Sequence, residues 1–581
     1  MTEPQGMGRG IPPSRREKVA RTGHGSLVGG LTPTPPVEVH KAYNQAVVYP
    51  HCSQILWRGS RLAAFSLALS LAACCIVRAQ APADSAVRNG RILLVLPFDN
   101  KSGQPSLEWI REASSELLSS RFASAGFAPL SRADRLYTLD HLGLPQGFQP
   151  SRASALKLSQ TMDVDSIIVG SYETEGGNIQ LEAQIVDVPH LRMSGAIVRN
   201  GEMRNLVAVF DSLAWMLTRQ LDAGFSGSEE TFVAAGANLQ LAAFEQYIRG
   251  ITEPDQAERL RHLQQAVKLS PDYSAAFMAL GREYYAAQEY EDAATAFAKV
   301  SGNDADVLEA GFYRGLSLMF SGNYGKAEGA FGGVARVLPL APVLNNQGVA
   351  ISRQGHDGTA LFRQAEAADP TAPDYHFNLA VSLRRHNDGA AANAELAQYL
   401  KMRPNDSEAL GLESAWKQPA GGSQVEPLER IVRGFDAVAF RQAAVVLDQM
   451  EASRLAALTP EQRAHTLANH ARDYLSRGLL LEAERLYQTA VAADGRAEEA
   501  HEGLAEVRER TGDATGARKE AQAALELRPS ADAYLVLARL DVAANHLDDA
   551  TRDAGEALKL NPNSQAAQDV LHQVSARQGK P

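Results

Sequence analysis

With 581 residues, 45% of them hydrophobic and 22% charged, the chain is too long for one core and far from the charge-rich, apolar-poor composition of disorder. Its 57 Lys and Arg against 68 Asp and Glu leave a net charge of -11, which argues against nucleic-acid binding through bulk positive charge. The only cysteines are Cys52, Cys74 and Cys75, so the remainder of the chain has no disulfide framework, thiolate zinc site or cysteine nucleophile.

In chain order, residues 1–57 are rich in Pro, Gly and Arg without apolar periodicity. They are expected to be an untranslated or disordered leader, with translation starting near residue 55. Leu62 to Val77 is an apolar run; at about 1.5 Å per residue it falls short of the roughly 30 Å hydrocarbon core of a bilayer. Arg58 and Arg61 precede it and Ala79-x-Ala81 follows, so 58–81 reads as a signal peptide. Leu71-Ala72-Ala73-Cys74 also resembles the lipobox of bacterial lipoproteins, in which Cys74 would carry the lipid; the two processing routes compete. Either exports the protein to the periplasm or to the periplasmic face of the outer membrane.

The segment 82–225 reads as one α/β domain. Arg91 to Pro97 is a buried strand bounded by turn residues. A helix with one apolar face covers Ser106 to Ala125, a short strand covers Phe127 to Leu130, and a second helix Ala153 to Met162. The period then changes to two: Ser166 to Tyr172, Ile179 to Val186 and Met193 to Val198 are strands, the first two joined by Glu175-Gly176-Gly177-Asn178. Leu206 to Leu221 closes the unit as a helix. The motifs ILLVLPFDNKSG and DVDSIIVGSYETEGGNIQLEAQIVDV resemble the amino-terminal domain of TolB and its relatives. That resemblance implies an envelope interaction domain without catalytic residues, although Asp187-Val188-Pro189-His190 departs from the family's usual turn.

From about residue 240 a pattern of roughly 34 residues recurs. Its copies begin at Ser274, Leu308, Ala341 and Pro373, then at Ala464, Glu498 and Ala531, and the residue types resemble the tetratricopeptide repeat. Small residues at the eighth position (Gly281, Gly315, Gly348, Ala380) let paired helices approach, and a bulky plug at or near the twenty-fourth (Phe297, Phe331, Phe362, Tyr487) fills the space between them. Prolines such as Pro339 and Pro370 stop the second helix. The expected division is a first repeat block over 240–404, an irregular helical connector over 405–462 broken at Pro419-Ala420-Gly421-Gly422, and a second block with a cap helix over 463–581. The fold class is α+β: a TolB-like domain followed by an all-α solenoid.

The resemblance implies that a ligand meets the concave face of the first block, at Met278, Arg282, Tyr285, Phe312, Leu316, Phe320, Asn345, Phe377, Arg384 and Arg385. Asn346 and Asn378 stand where some tetratricopeptide domains hold a peptide carboxylate, but the lysines of that clamp are missing. In the second block Glu499, Glu502, Glu506 and Glu509 form an acidic stripe, either a solvated face or a docking surface for a basic partner. Enzyme signatures fail. Ser154-x-x-Lys157 lacks its companion motifs, His465 and His470 are not at the i, i+4 spacing of a helical zinc site, and Gly224 to Gly227 lacks the nucleophile-elbow spacing. The expectation is a scaffold binding protein or peptide partners, without nucleic acid, metal or other cofactor. The alternatives are a lipoprotein accessory to envelope assembly or secretion, and an enzyme with a dispersed site in 90–225.

Overall fold

The computed structural model describes residues 92–145, 162, 164–302, 304–417, 427–435 and 437–579. The expected leader and signal peptide, Cys74, the Ala153 to Met162 helix except its last residue, the Ser154 and Lys157 pair and the Pro419 to Gly422 breaker lie outside them.

A seven-stranded sheet opens the described chain, formed by β1 (Ile92–Val95), β2 (Asp99–Asn100), β3 (Ala128–Pro129), β4 (Ser166–Glu175), β5 (Asn178–Asp187), β6 (Arg192–Met193) and β7 (Ile197–Glu202). β1 lies parallel between β3 and β4, and β4 pairs antiparallel with β5 along ten residues, from Ser166 opposite Asp187 to Glu175 opposite Asn178. β7 pairs antiparallel with β5. Among the described residues three helices belong to this domain: α1 (Trp109–Ser124), α2 (Arg132–His141) and α3 (Leu206–Leu221). Strand alternation sorts the side chains to two faces. Leu93, Val95, Ile168 and Leu181 pack with Ile110 and Leu117 of α1 and Phe210 and Leu213 of α3, whereas Leu94, Leu96, Ile167 and Val186 meet Leu139 of α2 on the other face.

Two local outcomes differ from the sequence expectation. α2 forms where no helix was expected, started by a capping box in which Ser131 and Asp134 satisfy each other's backbone amides. The strand expected over Met193 to Val198 is interrupted, because the Ser194 hydroxyl takes the Ile185 amide at 2.9 Å; pairing resumes over Ile197–Glu202. Gly201 in that strand is required by packing, since a Cβ there would lie 2.4 Å from Val209 of α3.

The helical array begins with α4 (Glu229–Gly236) and the pair α5 (Leu241–Thr252) and α6 (Gln256–Leu269). Block 1 continues through α7 (Ser274–Ala286), α8 (Tyr290–Phe297), α9 (Asp304–Phe320), α10 (Tyr324–Val337), α11 (Ala341–Arg353), α12 (Thr359–Ala368), α13 (Pro373–Arg385) and α14 (Gly389–Met402). α15 (Ser407–Trp416) and α16 (Ala437–Ala456) flank an extended stretch at 427–435. Block 2 comprises α17 (Pro460–Ser476), α18 (Leu480–Ala493), α19 (Glu498–Thr511), α20 (Ala514–Leu527), α21 (Ala531–Ala543), α22 (Leu547–Leu560) and the terminal α23 (Gln565–Arg577). Within hairpins the eighth-position glycine meets the aromatic plug: a Cβ on Gly281, Gly315 or Gly348 would lie 2.7, 2.6 or 2.9 Å from Phe297, Phe331 or Phe362.

The sheet domain and the array share one core. Trp109 of α1 packs edge-on against Phe244 of α5 at 6.3 Å, and Tyr247, Leu263 and Leu280 extend the same apolar cluster into the repeats. Block 2 also returns to the start of the array. Gln488 exchanges two hydrogen bonds with Ser226, and the Ser228 amide donates to buried Glu484. Among the described residues no helix is long and apolar enough to cross a membrane.

Candidate functional site

Helix α13 is buried from Tyr375 through Leu383, on every side of the helix. An amphipathic hairpin helix would leave its concave side open to solvent; here that side is covered by residues 427–435 of the same chain. Three asparagines make the contact, and all three are fully buried, a cost that only complete hydrogen bonding offsets.

Asn378 binds one residue of the segment on both sides of its backbone: its Nδ2 donates to the Arg430 carbonyl at 2.7 Å and its Oδ1 accepts from the Arg430 amide at 2.6 Å. Asn346, one repeat earlier, does the same for Val432, at 2.7 and 2.9 Å. Asn345 lies between them, donating to the Arg430 carbonyl at 3.1 Å and accepting from Asn378 Nδ2 at 2.7 Å. Each side-chain amide thus offers the donor and acceptor pair of a neighbouring β-strand, and two successive repeats grip alternate residues. The segment runs antiparallel to the order of the repeats.

Side chains add three further points of attachment. Glu429 is 3% exposed; its carboxylate meets Ser352 and Arg385, with Arg353 at 3.9 Å. Arg430 reaches Asp374 at 3.1 Å, Asp406 at 2.9 Å, Glu408 at 3.1 Å and the Tyr399 hydroxyl. Its guanidinium also lies over the rings of Phe377 and Tyr399, 4.0 and 4.8 Å from their centres. Phe435 enters an aromatic slot, 5.7 Å from Phe312, 6.1 Å from Tyr313 and 4.0 Å from Phe440.

The electrostatics follow from these partners. Burial alone would raise the Asp406 carboxyl, but hydrogen bonds from Tyr399, the Ala409 amide and Arg430 outweigh it and hold the group at about 2. Burial and the bond to Asp406 push the Tyr399 phenol up to about 12. Burial works against the charge of Arg430, yet its acceptors Asp406, Tyr399 and Asp374 raise its pKa.

The residues expected to line the groove separate into two groups. Phe312, Phe320, Asn345, Asn346, Phe377, Asn378 and Arg385 touch the segment, Phe320 through Arg433 stacked 5.1 Å over its ring. Leu316 is fully buried in the same core. The others are engaged elsewhere: Met278 packs inside its hairpin with Phe297, Arg282 pairs with Glu309, Tyr285 packs against Tyr313 at 5.4 Å, and Arg384 lies over Trp416 at 5.7 Å. Asn346 and Asn378 hold internal peptide groups, not a terminal carboxylate, because the chain continues on both sides of their contacts.

Sequence reasoning missed Ser352, Arg353, Asp374, Tyr399, Asp406 and the segment itself. The connector over 405–462 was expected to be irregularly helical; residues 427–435 are extended, and α16 follows over Ala437–Ala456. The available signal was Pro427 and Gly434 bracketing a short run with Glu429, Arg430 and Val432.

In block 2 the four glutamates lie on α19, each half-buried and engaged. Glu499 meets His465 at 2.5 Å, Glu506 pairs with Arg510, and Glu509 takes a two-pronged contact from Arg539 at 2.9 and 2.6 Å. Burial raises the Glu502 carboxyl, against a bond from Ser530. Among the described residues no group of three His, Cys, Asp or Glu side chains is placed to hold a metal ion.

A family model described as Tetratricopeptide repeat matches residues 260–307, 278–342, 352–407 and 469–532. A search of the curated proteins finds no match. Similar solved structures include YrrB, described as a TPR protein with an unusual peptide-binding site, at 14% identity over 35% of this chain and 99% of its own, with a TM-score of 0.26. MamA from Desulfovibrio magneticus is 19% identical over 31% of this chain and 100% of its own, with a TM-score of 0.25. The LpoB C-terminal domain from Salmonella enterica is 16% identical over 20% of this chain and 87% of its own, with a TM-score of 0.18. The repeat spacing, the glycine-against-aromatic hairpins and the matched stretches together show that the helical part of this chain is built of tetratricopeptide repeats.

Proposed function

We propose that the protein is an exported, non-catalytic scaffold of the bacterial cell envelope, and that block 1 grips an extended stretch of polypeptide by its backbone. The observation that carries this reading is the pair of two-pronged contacts from Asn346 and Asn378 to alternate residues of an extended chain. Backbone capture of this kind supplies affinity, and pockets beside it supply selectivity. The apolar run Leu62 to Val77 supports export, and Leu71-Ala72-Ala73-Cys74 supports an anchored form; globomycin sensitivity of the precursor separates anchored from free. The strand motifs at Ile92 and Ser166 support a TolB-like role for the sheet domain as an envelope contact surface.

The test is a panel of extended peptides of varied sequence presented to the full chain. Peptides that bind wild type should lose binding to the Asn346→Ala, Asn378→Ala double variant. Binding that is indifferent to both substitutions, or no binding by any peptide, rejects the reading.

A further inference from the structure

Residues 427–435 fill the groove as a bound peptide would, while the repeats around them close without their help. The α11–α12 hairpin is sealed by Gly348 against Phe362, and α13 pairs with α14 directly. The points of attachment lie on the array: arginines around Glu429, carboxylates and rings around Arg430, and an aromatic slot for Phe435. Vacated, this surface would deprive Arg353 of the Glu429 carboxylate and Asp374 and Asp406 of the Arg430 guanidinium, and would strip the asparagines of their segment contacts. A replacement must therefore repeat the same chemistry. The segment also has features of an occupant that can leave: it forms no helix or strand, Leu428 is 63% exposed, and Arg433 and Gly434 face solvent.

Building on the proposed peptide-gripping function, we infer that Pro427 to Phe435 is a resident ligand that masks the groove in cis, and that the partner in trans is an extended peptide of pattern Glu-Arg-x-Val-x-x-Phe that displaces it. A short tether gives an effective concentration of about 1 mM, so an incoming copy of the same sequence half-fills the wild-type groove only near that concentration. Weakening the resident segment exposes the groove's intrinsic affinity.

The probe is a fluorescein-labelled peptide of sequence Pro-Leu-Glu-Arg-Ile-Val-Arg-Gly-Phe, titrated into the full chain and followed by anisotropy. Arg430→Ala should bind it at least ten-fold more tightly than wild type, adding Asn378→Ala should remove the gain, and a peptide with Glu and Arg exchanged should bind at least ten-fold more weakly. Hydrogen exchange on the wild-type chain keeps the test decisive should Arg430→Ala misfold: millimolar peptide should strip protection from the Arg430 and Val432 amides. Unchanged protection at that concentration, or a folded Arg430→Ala chain that binds no better than wild type, overturns the inference. If other peptides still bind through Asn346 and Asn378, the gripping function survives and only the cis ligand falls. If no peptide binds either protein, both fall.

Discussion

Blocks 1 and 2 are built from the same hairpin, yet their concave faces are satisfied differently. In block 1 the buried asparagines and the carboxylates around Tyr399 find their partners in a distant stretch of chain, with Asn346 and Val432 separated by 86 residues. In block 2 the glutamates of α19 find theirs in neighbouring repeats and in their own helix, through His465, Arg510 and Arg539. A repeat surface built to hold another chain leaves backbone-sized polar gaps, whereas one that pairs its own charges does not. The contrast predicts different sensitivity to substitution.

The largest effect should come from Arg430, because its removal leaves several acidic partners without an opposing charge. Arg430→Ala should destabilise block 1 by about 2–4 kcal/mol in denaturant unfolding. Its block 2 counterpart Arg539→Ala, the partner of Glu509 in a partly exposed pair, should cost about 1 kcal/mol or less. Equal losses would erase the distinction between the blocks.

Next, Asn378→Ala leaves the Arg430 amide without its partner and the Arg430 carbonyl with Asn345 alone, and should cost about 1–3 kcal/mol. A cost below 0.5 kcal/mol, within about the spread of neutral surface changes, would mean that the segment is not held by its backbone.

Helix propensity sharpens the packing side of the comparison. Gly→Ala in a helix is ordinarily a gain of about 1 kcal/mol, as expected at Gly329 of α10, where a Cβ meets nothing within 4 Å. At Gly315 the new methyl would press on Phe331 at 2.6 Å, and the expected outcome is a loss of about 1–2 kcal/mol. Thermal melts of the two variants should move in opposite directions.

The smallest effect is one the blocks share. His376 bonds Glu395 and the Pro370 carbonyl, and His501 bonds Glu520 and the Gly495 carbonyl, at matching repeat positions. Burial opposes the charge of His376 but the Glu395 contact prevails and its pKa is raised; for His501 the bond to Glu520 leads and raises it against burial. A histidine with a raised folded pKa contributes stability that is complete below its unfolded value near 6.5 and is lost as pH climbs through the folded value. Unfolding midpoints should therefore fall modestly as pH rises above about 6.5, and the double variant His376→Gln, His501→Gln should flatten that slope.

What was legible in the sequence is what depends on near neighbours. The 34-residue recurrence, glycines facing aromatics fourteen or sixteen residues on, and the strand pair joined at Gly176-Gly177 all leave local patterns, and Asn346 and Asn378 stood out because they occupy the position at which some tetratricopeptide domains hold a peptide carboxylate. The occupant of the groove left no such pattern. Arg430 is explained by Asp374, Asp406 and Tyr399, which lie 24 to 56 residues away, and nothing in a run of nine residues without helical period states where it will dock. The acidic stripe was legible as a stripe, but its pairing with His465 and Arg539 depends on how repeats stack. α2 was missed although Ser131-x-x-Asp134 carries a capping signal, because its Arg- and Asp-rich stretch has little apolar periodicity.

The central claim is that side-chain amides of block 1 hold an extended backbone. The most direct measurement is hydrogen exchange at the Arg430 and Val432 amides in the wild-type chain and in the Asn346→Ala, Asn378→Ala variant. The account predicts helix-like protection of both amides in wild type and its loss in the variant while α11 and α13 stay protected. Exchange of both amides at the rate of a free peptide in wild type would contradict it.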